Sequence, residues 1–221
     1  MARITPETLI RLVRVVGSVG AFGLFSACQA FPQLVPETPV ASASANAPRA
    51  PRQAQLYGGA FKVAGPKGYC IDTAALQDSF VLLAECNALE GRRVEPGQTV
   101  PAILTLSASE PLDDVAVFDP SAAAAFFATQ NGRTALSRVG NGDTVTVLET
   151  QKKGATVFVH ASDSAPANVP GLAGEYWRAV FVQDGRLVTL TATGLRAAPV
   201  EGAVLARLLA EFSTAIRASN R

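Results

Sequence analysis

Cys70 and Cys86 are the two residues of this 221-residue chain whose types and spacing most directly suggest chemistry. A reactive dithiol normally has Cys-x-x-Cys spacing and a helix N-terminus that favours the thiolate, and neither feature is apparent here. With three cysteines and one histidine, the chain lacks the ligands of a conventional zinc cluster. We predict a structural disulfide between Cys70 and Cys86, as expected for two cysteines in an exported domain. Redox or metal use of the pair is the alternative.

His160 is the single histidine and a candidate for acid–base catalysis. Ser162 and Asp163 follow it closely, but adjacency along a chain does not produce the geometry of a catalytic triad. The sequence has no Gly-x-Ser-x-Gly motif that would expose a serine nucleophile. We therefore interpret His160 as a strand-end residue, half-buried or solvated, and keep a hydrolase that uses it as an alternative function.

Three acidic residues, Glu110, Asp113 and Asp114, could pair for acid–base chemistry or hold a hard cation. Their spacing is not that of an EF-hand loop, and the separation of glycosidase carboxylates across a cleft cannot be read from a sequence. Because Pro111 stands beside them, we predict a solvated turn. The sequence thus predicts no catalytic residue, no metal ligand and no cofactor, and it favours a protein that is not an enzyme.

The N-terminus has the pattern of an export signal. Arg3, Arg11 and Arg14 precede a stretch without charges from residue 15 to residue 27. A basic segment, an apolar stretch of roughly 7–15 residues and small residues at its end are typical of a secretory signal. A membrane-spanning helix needs about 20 apolar residues, so this stretch is too short to cross a bilayer. We predict that residues 1–27 are a signal peptide.

The end of this segment, Leu24-Phe25-Ser26-Ala27-Cys28, resembles the lipobox of bacterial lipoproteins. The small residues before the cysteine fit that motif, and phenylalanine stands where leucine is usual. The resemblance implies cleavage before Cys28 and attachment of acyl chains such as palmitate to this residue. The protein would then be anchored to a membrane and face the periplasm. A soluble secreted protein that is cut nearby is the alternative.

Residues 28–56 are predicted to form a mobile tether. They contain several prolines and the low-complexity run Ala41-Ser42-Ala43-Ser44-Ala45-Asn46-Ala47. Such a composition buries too little apolar surface to offset the entropy of ordering. An N-terminal strand docked on the domain is the alternative. The near balance of 19 Lys+Arg against 18 Asp+Glu argues against a nucleic-acid partner.

Residues 57–221 have the length of a single globular domain. Asp184-Gly185 lies between two β-rich runs, a pattern typical of a two-residue hairpin loop. Centring the turn there pairs Phe181 with Val188, Ala179 with Leu190 and Trp177 with Ala192 on an apolar face. The opposite face pairs Val182 with Leu187, Val180 with Thr189, Arg178 with Thr191 and Tyr176 with Thr193. We treat Tyr176, Arg178 and Thr191 as a candidate partner surface, with a plain solvated face as the alternative.

The remaining elements follow from turns, caps and periodicity. A second hairpin is predicted over residues 144–161, turning through 151–154 with a loop of two residues, or of three with Gly154 in the left-handed conformation, so its register stays open. Shorter strands are predicted at 61–64, 80–85 and 103–109. Asp119-Pro120 before an alanine-rich run indicates a capped helix, and residues 199–219 have the spacing of an amphipathic helix. These elements predict an α+β domain: an antiparallel β-sheet of hairpins, a long C-terminal amphipathic helix packed on it, and one disulfide.

Two resemblances extend this interpretation. The hairpin at 175–194, followed by Leu195, Arg196 and the closing helix, resembles the C-terminal half of the PsbP/Mog1-like fold. The cysteine-bearing segments 65–72 and 80–86 resemble an uncharacterised family of exported bacterial lipoproteins. Since relatives of the PsbP/Mog1-like fold often act as assembly or binding modules, the resemblance implies a similar role.

Signal, tether and disulfide together predict a lipid-anchored cell-envelope protein. Its most favoured function is that of a non-enzymatic accessory or protein-interaction domain, working within an envelope protein complex. The first alternative is a protein that binds a small molecule or lipid in a cleft between sheet and helix, and the second is the hydrolase that uses His160.

Overall fold

The computed structural model describes residues 49–112, 118–167 and 169–221. Within these ranges the strands are β1 (Gln53–Leu56), β2 (Phe61–Ala64), β3 (Tyr69–Ile71), β4 (Phe80–Glu85), β5 (Ala102–Pro111), β6 (Val145–Lys153), β7 (Thr156–Asp163), β8 (Leu172–Gln183) and β9 (Arg186–Leu195). The helices are α1 (Cys86–Leu89), α2 (Pro120–Ala128), α3 (Gln130–Leu136) and α4 (Gly202–Ser219). None of these four helices combines the length and hydrophobicity needed to cross a bilayer. The predicted signal peptide, Cys28, Asp113 and Asp114 lie outside the described residues.

The described strands form one large and one small antiparallel sheet. The large sheet has the order β3-β4-β5-β9-β8-β7-β6, and β1 pairs with β2 in a separate hairpin. Pairing of β5 with β9 joins the N-terminal and C-terminal halves of the large sheet. The antiparallel sheet and the C-terminal helix predicted for an α+β domain are confirmed.

The β8–β9 hairpin has the register that the sequence predicts. Asp184 and Gly185 have positive φ angles of 49° and 69°, as a type I′ loop requires. The observed pairs include Trp177 with Ala192 and all the other pairs predicted from the turn. Because side chains alternate between faces, this two-residue loop determines which residues of β8 face the core.

The β6–β7 hairpin is also present, with its loop displaced toward the C-terminus. Lys153 pairs with Thr156, so the loop consists of Gly154 and Ala155, and Gly154 has a φ of 57°. A register shift between Val147 and Glu149 marks a bulge in β6, which is an edge strand of the large sheet. A bulge at such an edge disfavours uncontrolled pairing with another chain.

Helix α4 contributes its buried face to the main core. The buried residues are Leu205, Leu208, Leu209, Phe212, Ser213 and Ile216. The apolar members of this set share one cluster with sheet residues such as Leu104, Phe181 and Leu190. Strand β2 adds Phe61 to the same cluster, so the small hairpin and α4 lie against a common core.

Helices α2 and α3 cover part of the other face of the sheet. Asp119 caps α2 by accepting a hydrogen bond of 2.8 Å from the amide of Ser121, as the Asp-Pro pattern predicts. The sequence does not predict α3. Phe127 of α2 and Leu136 of α3 pack with residues of β7 and β8 in a second buried cluster.

Tyr176, Arg178 and Thr191 do not form the exposed partner surface that the sequence predicts. Tyr176 is 1 % exposed and donates a hydrogen bond of 2.7 Å to the carbonyl of Leu136. The guanidinium of Arg178 donates to the Thr191 hydroxyl and to the carbonyl of Ala135. Burial raises the pKa of Tyr176 and lowers that of Arg178. These side chains hold α3 on the sheet, because α3 supplies the carbonyl acceptors.

The predicted disulfide joins Cys70 of β3 to Cys86 at the start of α1, with Cα atoms 4.9 Å apart. The bond ties an edge strand to the segment that follows its neighbour β4. The two cysteines are 1 % and 8 % exposed, so the cross-link is part of the domain interior.

The range predicted as a tether, residues 28–56, requires a correction at its C-terminal end. Gln53–Leu56 forms strand β1 and pairs with Phe61–Ala64. Leu56 is 1 % exposed and belongs to the main core, which explains why these four residues are ordered despite the proline-rich segment before them. Residues 28–48 of the predicted tether lie outside the described part of the chain.

Candidate functional site: a groove beside helix α4

A groove of about 490 Å³ lies between one side of α4 and strands β6 to β8, and we call it the α4 groove. The strands line it with Glu149, Gln151, Lys153, His160 and Trp177, and the helix lines it with Gly202, Ala203, Ala206, Arg207 and Ala210. Its volume is within the range typical of small-molecule sites.

Strand register builds the floor of the groove. Glu149, His160 and Trp177 are directly paired across β6, β7 and β8, so their side chains form a row on one face of the sheet. Trp177 belongs to the core cluster shared with α4, which identifies that face. The row runs from the exposed carboxylate of Glu149 in the edge strand β6 to Trp177, a residue that is 3 % exposed.

The imidazole of His160 stacks on the indole of Trp177. The ring centroids are 4.8 Å apart and the planes differ by 5°. On its other side, Nε2 of His160 lies 3.4 Å from Oε2 of Glu175, whose side chain is largely exposed. The imidazole is therefore part-buried and held by both an aromatic and a carboxylate neighbour.

The indole N–H of Trp177 is the unusual polar group of the α4 groove. Its Nε1 atom is buried and has no hydrogen-bond partner in the described ranges of the chain. Leaving such a donor unpaired costs about 1–3 kcal/mol. A Cβ atom added to Gly202 would stand 3.6 Å from this Nε1 and 3.2 Å from Cε1 of His160. Glycine at position 202 therefore keeps side-chain atoms away from the N–H and the imidazole.

Helix α4 begins at the same place. The side chain of Glu201 makes no capping hydrogen bond, and the amides of Val204 and Leu205 both donate to the Glu201 carbonyl. The first amides of an α-helix have no acceptor within the helix and carry a partial positive charge. Gly202 and Ala203, which bear these amides, both line the groove.

One side of α4 gives the groove its shape and part of its charge. Ala203, Ala206 and Ala210 recur at helical spacing and present only methyl groups, which leaves open space above β6 and β7. Arg207 lies on the same side and is exposed. Lys153, also exposed, adds a second cation across the groove. The walls therefore combine apolar methyl groups with two exposed positive charges.

The structure brings His160 into this groove but does not bring Asp163 with it. Asp163 points to the other face of β7, because it lies three residues further along the strand. It is 2 % exposed and accepts hydrogen bonds from the amides of Arg138 and Ala165 at 2.7 and 2.9 Å. Burial alone would raise the pKa of Asp163, but these hydrogen bonds outweigh it and lower the pKa below its ordinary value. Within the described residues, the charged partner of His160 is Glu175, not the neighbouring Ser162 or Asp163.

Glu110 is not among the residues that line the α4 groove. It lies in β5, which β9 separates from the groove strands β8, β7 and β6. Its side chain is 78 % exposed and one oxygen is 3.8 Å from the guanidinium of Arg186. The carboxylate is exposed as predicted, but the predicted turn is wrong at this residue, because Glu110 and Pro111 belong to strand β5 and Pro111 pairs with Arg186 of β9. The other two acids of that prediction are outside the described residues.

The sequence does not indicate that Glu175 and Gly202 lie beside His160, or that Arg207 lines the same groove. Glu175 and Trp177 share a strand face, so the predicted hairpin placed this carboxylate on the correct side without naming it. The sequence also shows the helical spacing of the alanines in α4, but it does not show how far that helix lies from the edge strand β6.

No protein-family model matches the chain, and the search of curated proteins found no match. Among solved structures, the chain is similar to the Ran-binding protein Mog1p of Saccharomyces cerevisiae, with a TM-score of 0.43 and 12 % identity over 78 % of this chain and 95 % of that chain. It is also similar to cyanobacterial PsbP (CyanoP) from Synechocystis sp. PCC 6803, with a TM-score of 0.40 and 13 % identity over 80 % and 97 % of the two chains.

A third similar structure is a protein from Bacteroides thetaiotaomicron VPI-5482, with a TM-score of 0.32 and 8 % identity. The match covers 73 % of this chain and 47 % of that one, so it spans about half of the longer protein. The first two structures amount to a weak resemblance to the PsbP/Mog1 fold, and nothing about function is taken from any of the three.

Proposed function

We propose that this protein is a lipid-anchored binding protein of the cell envelope, in which the α4 groove holds a small organic ligand. The observation that carries the ligand-binding part is the buried, unpartnered indole N–H of Trp177 in the groove wall. A buried donor without a partner is rare in folded domains, and a bound acceptor would satisfy it. The methyl groups of Ala203, Ala206 and Ala210 supply apolar surface beside that donor.

The anchor is proposed from the sequence. The basic and apolar segment before Cys28 supports export, and the lipobox-like residues support acylation of that cysteine. Residues 28–48 would then connect the membrane to the domain, which would face the periplasm as a binding module. Acyl chains stabilise membrane attachment by roughly 0.8 kcal/mol per buried CH₂, so several chains suffice without a spanning helix.

Membrane fractionation tests the anchor. The Cys28→Ser variant should appear in the soluble fraction, because no acyl chain can be attached. The matched Ser26→Thr variant keeps the cysteine and a small side chain before it, and it should stay with the membranes. Retention of Cys28→Ser in the membrane fraction would contradict the anchor and leave the ligand-binding proposal unaffected.

Blocking the α4 groove tests ligand binding. The Ala206→Phe substitution places a large ring on the groove side of α4, whereas Ala218→Phe places it at an exposed position near the end of the same helix. A small molecule extracted from the native protein should be found with the wild type and with Ala218→Phe, and should be lost from Ala206→Phe. Equal recovery from all three proteins, or recovery from none, would contradict this function.

A second candidate function is the accessory or protein-interaction domain that the sequence favours. It is supported by the sheet face turned away from α4, where the side chains are half-buried (Phe80, Leu82, Thr105 and Thr189) or exposed (Ser107 and Leu187). Accessible apolar and hydroxyl side chains on one face of a sheet are suited to contact with another protein.

Affinity capture from detergent-solubilised envelope distinguishes this second function from the first. A partner recovered in stoichiometric amount should be lost from a Thr105→Arg/Thr189→Arg double variant and retained by Ala206→Phe. A partner that both variants retain would contradict docking on this face. Absence of any stoichiometric partner would remove this candidate and leave the ligand-binding function.

A further inference from the structure

We infer that the α4 groove selects a small carboxylic acid with a short aliphatic body, an inference that rests on the proposed ligand-binding function. The carboxylate would lie at the N-terminus of α4, beside Trp177 and Gly202, and the aliphatic part would lie along the alanine side of the helix. Three separate properties of the groove lead to this assignment: its donors, its charges and its apolar wall.

The hydrogen-bond donors of the groove are best satisfied by a ligand group that has more than one acceptor oxygen. The indole N–H of Trp177 has no partner in the described ranges, and the helix start at Gly202 and Ala203 has no side-chain cap. The Trp177 residue is 3 % exposed, so its donor is buried in the protein and turned toward the glycine that lines the groove. A carboxylate has two oxygens and about four acceptor positions, and can therefore serve the indole and the helix amides together.

The charges favour an anion over a neutral acceptor. The N-terminus of an α-helix carries roughly half a positive charge, and α4 is 18 residues long. Arg207 lies one turn further along the groove side, and Lys153 faces it from β6. Glu149 is the opposing carboxylate of the lining, and it accepts a hydrogen bond of 2.7 Å from Gln151. Two cations and a helix terminus therefore act against Glu149, which is already hydrogen-bonded, and against Glu175, whose carboxylate lies next to His160.

The apolar wall of the α4 groove indicates that the carboxylate belongs to a molecule with an aliphatic part. Ala203, Ala206 and Ala210 form a strip of methyl groups that a compact inorganic anion would leave uncovered. An aliphatic chain removes this surface from water, at roughly 25 cal/mol per Å² buried. The groove volume of about 490 Å³ accommodates a chain of several carbon atoms in addition to the carboxylate.

The pair of His160 and Glu175 shapes the other end of the site. With Nε2 facing Glu175, the imidazole lies flat against the indole, and its Cε1–Nε2 edge lies close to Gly202. Glu175 also places a negative charge beyond His160, which disfavours a carboxylate on that side. The ligand is therefore expected to extend from Gly202 toward Ala210 rather than toward Glu175.

Trp177 is the only tryptophan of the chain, so its fluorescence reports directly on the site. The experiment is a titration of the full chain with hexanoate, and in parallel with hexanamide, its uncharged analogue of nearly the same shape. Hexanoate should change the emission of Trp177 saturably, and hexanamide should bind at least about tenfold more weakly, since hydrogen bonds to a charged group are roughly twice as strong as neutral ones.

Two groove variants and one control give the titration its specificity. Arg207→Gln removes a cation from the exposed side of α4 without disturbing the core, and should weaken hexanoate binding about tenfold. Gly202→Ala places a methyl group 3.2 Å from Cε1 of His160 and should weaken binding of both probes. The exposed Arg196, which is not among the lining residues of the groove, provides the control: Arg196→Gln should bind hexanoate like the wild type.

The outcomes separate this inference from the function on which it rests. Equal binding of hexanoate and hexanamide, lost in Ala206→Phe, would overturn the carboxylate assignment and preserve ligand binding in the groove. Unchanged hexanoate affinity in Arg207→Gln would also overturn the assignment. Failure of both probes to alter the emission of Trp177 would overturn the inference, whereas the extraction experiment with Ala206→Phe decides the function independently.

Discussion

Reduction of the Cys70–Cys86 disulfide should lower the free energy of unfolding of the domain by about 3 kcal/mol. The bond closes a loop of 16 residues, and a cross-link stabilises mainly by restricting the unfolded chain, by an amount that grows with the logarithm of loop length. With a urea m-value of about 1–3 kcal/mol per M, the midpoint of unfolding should fall by about 1–3 M. The folded state should persist, because the main core is built from β5, β8, β9 and α4 as well as from the cross-linked strands.

The assay is equilibrium urea unfolding followed by the emission of Trp177, which is 3 % exposed in the folded protein. A Cys28→Ser background removes the third thiol, and oxidised and reduced samples of the same protein are compared. The Cys70→Ala/Cys86→Ala variant is the matched control and should unfold near the reduced sample. The reasoning is refuted if the oxidised sample contains no titratable thiol and nevertheless unfolds at the same urea midpoint as the reduced sample.

Other predictions concern the packing of the second cluster and its acid sensitivity. Gly132→Ala should destabilise the protein by about 1–3 kcal/mol despite the better helix propensity of alanine, because the new Cβ would lie 2.0 Å from the carbonyl oxygen of Phe126. Gly194→Ala, whose Cβ meets its nearest neighbour at 3.7 Å, should be close to neutral in the same urea assay. Tyr176→Phe should cost about 1–3 kcal/mol, since it leaves a buried carbonyl without its donor, and an unchanged midpoint would contradict the role given to the hydroxyl. Because the folded-state pKa of Asp163 is lowered, its stabilising contribution is present above about pH 4 and is lost as the pH falls through the folded-state pKa. Asp163→Asn should therefore flatten this acid-side loss in unfolding curves measured at several pH values.

The sequence predicts those parts of the fold that depend on neighbouring residues. The Asp184-Gly185 loop determines its register locally, and the register of β8 and β9 agrees with it in every pair predicted. Strands β2 and β4 begin and end where their apolar runs do, and α2 begins where Asp119 caps it. In each case the residues that predict the element lie within it or next to it in the sequence.

Strand β1 and helix α3 are among the elements that the sequence does not predict, because their stability comes from distant partners. Strand β1 follows a proline-rich segment, and it is ordered by the burial of Leu56 in a core formed by residues far along the chain. Helix α3 has little apolar periodicity and contains Gly132, which allows close contact with the end of α2. Helix α3 also covers Tyr176, whose hydroxyl donates to the Leu136 carbonyl, so the burial of the predicted partner surface could not be read from the sequence.

The candidate site was only partly predictable for a similar reason. His160 and Trp177 are the sole histidine and tryptophan, and their cross-strand pairing follows from two hairpins, one of which had an open register. The groove itself depends on how far α4 lies from the edge strand β6. That distance is set by the bulky residues of the core face, such as Leu208 and Phe212, and not by the alanines that line the groove.

The most direct measurement of the central claim is the indole N–H resonance of Trp177 in a two-dimensional ¹H–¹⁵N spectrum. One tryptophan gives one indole cross-peak, and this N–H has no partner in the described residues. Addition of hexanoate should move the cross-peak downfield as the N–H gains a carboxylate acceptor, and Arg207→Gln should require a higher concentration for the same shift. An indole cross-peak that stays in place at saturating hexanoate would contradict the claim that the α4 groove binds its ligand through Trp177.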